Sequence, residues 1–360
     1  MKTYIIAEAG VNHNGSLEIA KALVRIAQKA GADAVKFQTF ISEKEISQYA
    51  EKAEYQKETT SKTESQLDMV KKLELAFHEF IELKKYCEHV GIEFLSTPFD
   101  FESADFLINT LKLETIKISS GDITNAPFLL AIAKAKVNII LSTGMATLSE
   151  IEKALGVLAF GLIDDGLTPP SIAAFEEAYI SKMGQKLLKE KVTLLHCTTE
   201  YPAPLDEVNL LAIQTMNKTF GLQVGYSDHT EGIEVPIAAV SLGSTIIEKH
   251  MTYDKNADGP DHKASLEPLE LVTMIKGIRG IEKALGTGIK LPTKSELKNR
   301  KVARKSIVAD KAIQQGEFLT DENITFKRPG DGISPFEFWA IKNTKATKNY
   351  SIDERIEVEF

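Results

Sequence analysis

A chain of 360 residues with 43% hydrophobic side chains has ample material for one large α/β domain, alone or with a small companion. Its formal charge of −8 disfavours nucleic acid or an anionic membrane as the main partner, yet a locally basic pocket could still take a small anion. Two distant cysteines, Cys87 and Cys197, argue against a disulfide framework or a zinc site. No apolar run is long enough for a membrane span, and Glu8 interrupts the short apolar N-terminus, so a cytoplasmic protein without signal peptide is expected.

Short apolar runs alternate with amphipathic helical stretches along the chain. The predicted strands cover 3–10, 33–40, 92–99, 115–122, 138–145, 192–202, 223–230 and 244–252. Helical runs such as 17–31 and 77–91 lie between them and stop at Gly31 and Gly91. Eight βα units over about 285 residues match the arithmetic of a TIM (β/α)8 barrel. The expected domains are a barrel over 1–285, a linker over 286–303, and a small β-rich unit over 304–360. So small a unit has little core of its own and should dock on something. Two insertions break the rhythm. The charged stretch 41–72 follows the second strand and could wall or cover the C-terminal face. Residues 160–190 precede the sixth strand and suit packing or assembly.

Nearly every predicted strand begins apolar and ends polar. Glu8, Lys36, Gln38, Thr97, Lys117, Ser120, Ser142, Thr143, Thr198, Ser227, His229 and His250 all fall at C-terminal strand ends. In a barrel those ends converge on the active-site face. Strand ends are also simply where water begins, but that does not account for lysines inside the apolar runs at 36 and 117. A buried ammonium requires a partner.

Three constellations follow. His229 and His250 end the seventh and eighth strands, about 4.8 Å apart in a sheet, so two imidazoles could share one cation. Asp228 and Glu248 are nearby supports. Two histidines with oxygen ligands suit Mn²⁺, Mg²⁺, Co²⁺ or Zn²⁺ equally. The alternative is that both merely cap strands. Lys36 and Lys117, with Ser120, Ser142 and Ser227, suit a compact anion carrying phosphate and carboxylate. The glycines of "SSGD" and "STGM" let backbone N–H groups join them. The lysines could equally pair with Glu8 or Asp122. Those carboxylates are candidates for orienting hydroxyls or moving protons. In "GPDHKASLEP", Asp261 and His262 are expected over the pocket mouth. "GVNHNG" lacks dinucleotide-loop spacing and reads as the first βα loop. In "IIEKHM", alternation places Glu248 on the side of His250 and turns Lys249 toward the helices.

The segments "IIAEAGVNHNGSLEIAKALV", "GADAVKFQTF", "FLSTPFD", "IKISSGD", "ILSTGM", "LLHCTTEYPAP", "GYSDHT", "EKHMT" and "GPDHKASLEP" together resemble the bacterial sialic acid synthases. The tail "ARKSIVADKAIQQGEFLTDENITFKRPGDGIS" looks like that family's antifreeze-like (SAF) domain. The resemblance implies condensation of phosphoenolpyruvate with an N-acylated mannosamine-type sugar and water, phosphate leaving by C–O cleavage. It implies His229 and His250 as ligands of a divalent metal, Mn²⁺ foremost, with Mg²⁺ or Co²⁺ as alternatives. Lys36, Thr97, Lys117, Ser120, Ser142 and Ser227 become phosphoenolpyruvate-binding positions. Glu8, Gln38, Tyr201 and Asp261 become sugar-binding positions. It further implies that Arg328 reaches the barrel of another subunit in a domain-swapped homodimer. The catalytic set expected is Glu8, Asp122 and His250.

Two positions depart from the family pattern. Thr199 stands where several N-acetylneuraminate synthases carry Asn, and Asp122 where many members carry Glu. The wording "CTTEYPAP" and "GYSDHT" is also similar to synthases of diacetylated legionaminic acid. The sugar is therefore N-acetylmannosamine or 2,4-diacetamido-2,4,6-trideoxymannose. Alternatives are a pseudaminic acid synthase, another phosphoenolpyruvate-condensing sugar-acid synthase, and a non-catalytic sugar-binding barrel.

Overall fold

A computed structural model describes residues 2–357 except 54, 55, 57–59, 61–63 and 165. The chain divides into two compact units, Met1–Gly286 and Thr287–Phe360.

The first unit is the expected barrel. Its strands are β1 (Tyr4–Gly10), β2 (Ala34–Thr39), β3 (Glu93–Pro98), β4 (Thr115–Ile118), β5 (Asn138–Ser142), β6 (Val192–His196), β7 (Gln223–Asp228) and β8 (Ile246–His250). Each ladder is parallel, and the order runs β3-β2-β1-β8-β7-β6-β5-β4. β3 and β4 lie side by side without a ladder, so the sheet curls into a barrel closed by hydrogen bonds at every seam but that one.

The two-residue period of a strand sorts its side chains into two environments. One set, including Ile5, Ala7, Val35, Phe37, Ile116, Leu194, Val224 and Ile247, packs outward against the helices. The other fills the barrel. Its lower layer is Ile6, Ala34, Leu95, Ile140, Leu195 and Ile246, one apolar plug from six strands. Gly225 belongs to this layer: a Cβ there would come within 2.6 Å of both the Ile246 carbonyl oxygen and Leu195 Cδ2. Two residues further along the strands the interior turns polar, at Glu8, Lys36, Thr97, Ser142, Ser227 and Glu248. The plug closes the bottom and the polar layer faces the C-terminal rim, which is how a packed barrel core and an active site share one set of strands.

Three strands end earlier than the sequence pattern suggests. β4 stops at Ile118, and Ser120–Asp122 form a 3-10 turn. β5 stops at Ser142 and β6 at His196, so Cys197–Pro202 lie in a loop. The helices start with ordinary caps: Ser16, Asp100, Asn125 and Thr147 each accept a backbone N–H in the first turn. Residues 160–190 contain the end of helix Leu148–Ile163 and two further helices, Ile172–Ile180 and Lys182–Lys191. Within 41–72, Ser42–Glu45 and Gln66–Lys71 are helical; the remainder lies partly outside the described residues.

Glu45, in the first of these short helices, is half-buried, with its Oε2 fully covered and without a hydrogen-bond partner among the described residues. Burial first, and the nearby Asp122 and Asp100 charges next, push its carboxyl from 4.5 up to about 8. The folded chain thus holds a proton that the unfolded chain releases. That contribution to stability is complete below pH 4.5 and is lost as pH rises to about 8. Glu45→Gln should flatten the decline: chemical denaturation between about pH 5 and pH 8 should show a smaller stability loss in the variant than in the parent.

The second unit contains helix Lys294–Ala303, β9 (Ser306–Ala309) and β10 (Ile324–Lys327), the strands paired antiparallel. Ten residues within the stretch expected to be a linker are therefore helical, started by a reciprocal Thr293/Glu296 capping box. A small core of Ile307, Ala309, Ile313, Leu319, Ile324, Ile341, Ala346, Tyr350 and Ile356 holds the unit. Phe336 and Trp339 are 88% and 79% exposed on it, which is unusual for aromatic side chains.

Candidate active site

The polar layer holds two ammonium groups and two carboxylates, all buried. Lys36 Nζ lies 2.7 Å from Glu8 Oε2 and 3.6 Å from Glu248 Oε2, and donates to Thr97 Oγ1 at 3.0 Å. Lys117 donates to Ser142 Oγ at 2.7 Å and to the Ile118 carbonyl at 3.1 Å, and lies 3.8 Å from Glu248 Oε1. Ser227 donates to Glu248 Oε1 at 2.8 Å. Glu248 therefore sits between the two lysines and Ser227. The expected pairing of the lysines is correct for Lys36 with Glu8. For Lys117 with Asp122 it is not: Asp122 accepts from Ser119 Oγ and Asn125 Nδ2 in its own turn.

These environments tune protonation. Burial drives the Glu8 carboxyl up to about 7, outweighing the pull of Lys36. Burial also acts to raise Glu248, but Lys117 and Lys36 together prevail and hold it well below the usual carboxylate range. Burial drives the Lys117 ammonium down, and the two carboxylates raise Lys36 against the same effect. Two neighbouring carboxylates are thereby pushed in opposite directions, a pattern that marks acid–base sites.

Above this layer, His229 and His250 meet with ring centroids 5.6 Å apart. His229 Nδ1 bonds the Thr198 carbonyl at 2.6 Å. A carbonyl only accepts, so Nδ1 carries the hydrogen and Nε2 keeps its lone pair. His250 Nδ1 is buried without a hydrogen-bond partner among the described residues and lies 3.7 Å from Asp261 Oδ2. Burial lowers both imidazoles and keeps them neutral, the form that ligates metals. Burial raises the Asp261 carboxyl to about 6. Among the described residues no group of three or more His, Cys, Asp or Glu could hold a metal alone. The pair fits a cation that takes its other ligands from water and substrate. The Tyr201 ring lies tilted against His229, centroids 4.1 Å apart, and meets His250 edge-on at 5.7 Å. Gln38 Nε2 reaches Glu8 Oε1 at 3.5 Å.

Ser120 belongs to a tight cluster just beyond the C-terminal ends of β4, β5 and β6. Gly144 N–H donates to its Oγ at 3.0 Å, and Cys197 Sγ lies 3.2 Å away. A Cβ on Gly144 would come within 2.2 Å of Thr199 Oγ1 and 2.8 Å of Ser120 Oγ. The Gly144 N–H, expected to be free for an anion, is thus taken up by Ser120 Oγ, and nothing local announced Cys197.

Asp228, expected as a nearby support, flanks His229 from the helix-facing side, paired with Lys249, as its alternation with Ser227 and His229 requires. Two other sequence expectations are corrected. Glu248 supports lysines and Ser227 rather than His250. His262 does not hang over the mouth; it is fully buried, bonding Thr252 Oγ1 at 2.7 Å and Asn14 Oδ1 at 3.2 Å. Thus "GVNHNG" and "GPDHKASLEP" lock to each other, and the second motif reaches the site through the Asp261 side chain and the Leu266 N–H. Arg328 lies in the second unit, exposed, with no ion pair among the described residues.

A (β/α)8 barrel with buried ammoniums and a pair of neutral imidazoles at its C-terminal rim is the scaffold of an enzyme acting on an anionic substrate. The NeuB family model matches residues 23–290 and the SAF domain model residues 304–348. An N,N'-diacetyllegionaminic acid synthase of Campylobacter jejuni is 53% identical over 355 residues, covering 99% of each chain. A synthase of the same name from Legionella pneumophila is 43% identical, covering 98% of this chain and 92% of its own. The crystal structure of an N-acetylneuraminic acid (sialic acid) synthetase from Leptospira borgpetersenii, in complex with citrate, aligns with a TM-score of 0.67. It is 35% identical and covers 83% of this chain and 90% of its own. The chain belongs to the NeuB family and carries a C-terminal SAF domain; it is an enzyme of the sialic acid synthase type.

Proposed function

We propose that the protein condenses phosphoenolpyruvate with 2,4-diacetamido-2,4,6-trideoxymannose and water to give N,N'-diacetyllegionaminic acid and phosphate. The observation that carries the choice of sugar is the 53% identity, end to end, to a synthase of that product.

Lys36 and Lys117 neutralise the phosphate and carboxylate, with Thr97, Ser120, Ser142 and Ser227 as hydroxyl donors. For an incoming anion to take both ammoniums, Glu8 and Glu248 must yield part of their hold on them. The position of Glu8 near neutrality suits it to do so by taking a proton. Glu8, Gln38, Tyr201, Asp261 and Arg328 bind the sugar. His229 and His250 would hold the divalent metal, Mn²⁺ foremost, which supplies Lewis-acid polarisation of a carbonyl oxygen. Carbon three of phosphoenolpyruvate then bonds to the aldehyde carbon of the open-chain sugar. The former aldehyde oxygen takes up a proton to become a hydroxyl. Water adds to the electron-poor carbon two, with Asp122 accepting one of its protons. The hydroxyl so formed at carbon two gives up its other proton and becomes the keto group as the C–O bond breaks and phosphate leaves. Glu8 orients the sugar throughout.

The exposed Phe336 and Trp339 of the small unit support a docking role for it. We read the assembly as a domain-swapped homodimer in which Arg328 serves the partner's barrel. A mixing experiment decides this. Arg328→Ala and His250→Ala chains, each nearly inactive alone, should regain up to about a quarter of parental activity when co-assembled, because one site per mixed dimer is complete. No recovery in a verified mixed dimer contradicts the swap.

The test of the function is a substrate panel. The diacetamido sugar should exceed N-acetylmannosamine and the pseudaminic acid precursor in kcat/KM by at least about 100-fold, the discrimination available to a site built to hydrogen-bond an extra polar group. Preference for either competitor overturns the assignment of the sugar.

A further inference from the structure

The buried ion pair behind the histidines has no place in the chemistry above. Lys249 Nζ lies 2.6 Å from Asp228 Oδ2, and neither side chain has any exposure. The two residues form the last register pair of β7 and β8, on the face turned toward the helices. Each is the immediate chain neighbour of a site histidine. Lys249 also donates to the Thr230 carbonyl. Asp228 Oδ1 accepts from the Thr230 N–H at 3.1 Å, the Thr230 hydroxyl at 2.9 Å and the Tyr226 hydroxyl at 3.1 Å. The residues before and after His229 are thus both tied to the residue before His250.

A fully desolvated ion pair is a poor choice for stability alone, since apolar groups of similar volume usually serve as well or better. It does offer direction. The β7–β8 ladder ends at Asp228↔Lys249, so His229 lies just beyond it. Strand tips at that point lack the next ladder bond, and among the described residues no third protein ligand completes a metal-binding group that would correct an error in separation.

We propose that Asp228 and Lys249, with Thr230, form a positioning device that fixes the separation and aim of His229 and His250. The inference rests on the reading of those histidines as metal ligands. The device acts on the side of the sheet opposite the substrate, so its residues touch neither sugar nor phosphoenolpyruvate. Partners that orient metal ligands from behind are commonly worth 10- to 100-fold in metal affinity.

Mn²⁺ binding to the full-length chain, followed by the electron paramagnetic resonance signal of the free ion without substrates, tests it. The parent should bind one Mn²⁺ per chain, and His250→Ala should abolish this. The double variant Asp228→Asn/Lys249→Met removes both charges together, leaves no lone buried ion, and should bind at least about ten-fold more weakly while still melting cooperatively. Lys249→Arg, which keeps an ion pair, should retain most of the affinity. Thr230→Val keeps the pair but removes one tether, and should cost several-fold. A folded double variant with parental Mn²⁺ affinity overturns the inference. If the double variant does not fold, parental affinity in Thr230→Val overturns it instead. Equal Mn²⁺ binding by the parent and His250→Ala overturns the ligand assignment itself, and the positioning role with it.

Discussion

His250→Ala should retain the fold and lose turnover by about 1,000-fold or more. The retention follows from the imidazole's surroundings: Nδ1 has no hydrogen-bond partner among the described residues, so its removal strands no donor or acceptor there. The backbone of residue 250 keeps its place through the bond from Leu266 N–H to its carbonyl at 2.8 Å. The loss follows from the arrangement above the polar layer. Among the described residues two imidazoles converge there, and one cannot hold a divalent cation against water. A Lewis acid at a reacting carbonyl contributes several kcal/mol, and each 1.4 kcal/mol is about ten-fold in rate. Thermal melting and phosphate release, measured on the same preparation, separate the two effects. Full activity in chelator-treated buffer would remove the metal from the account.

Lys36→Met has the opposite profile, damaging fold and function together. The ammonium sits 2.7 Å from Glu8 and 3.6 Å from Glu248, at zero to slight exposure for all three. Without it, two buried carboxylates face only Lys117. Breaking a buried pair from one side costs about 3–5 kcal/mol. Part of that cost is avoided if Glu8 takes up a proton, toward which burial already drives it. The companion variant Lys36→Met/Glu8→Gln should therefore recover much of the stability, as a double-mutant cycle would show. It should not recover activity, because the cationic partner for phosphoenolpyruvate is still missing. Recovery of turnover along with stability would mean that Lys36 is a structural counter-ion and nothing more.

The barrel was legible because its signal is local and repeated. Each strand carries a two-residue period that turns polar at the same height, and eight of them leave few alternatives. The same period correctly turned Lys249 toward the helices. It turns Asp228 there as well, since Asp228 alternates with His229 in "GYSDHT". What the sequence did not carry were contacts between distant loops. His262 is buried because Asn14 and Thr252 receive it, and those residues are 248 and 10 positions away. The approach of Cys197 to Ser120 spans 77 positions. The strands β4 and β6 end at Ile118 and His196, before the polar residues 119–122 and 197–202, and the sequence does not show it because Gly121 and Pro202 come too late in those runs to mark the stop. Glu45 escaped notice because it lies in a charged stretch that reads as solvated, whereas the fold buries this one carboxyl.

The central claim is a sugar-dependent condensation with C–O cleavage, and one labelled substrate addresses it directly. Phosphoenolpyruvate carrying ¹⁸O at the bridging oxygen should be mixed with the diacetamido sugar, Mn²⁺ and the protein, and both products read by mass spectrometry. The account predicts one phosphate for each nine-carbon acid formed, with the label in the phosphate. Phosphate released at the same rate without sugar, or label retained in the sugar acid, would contradict it.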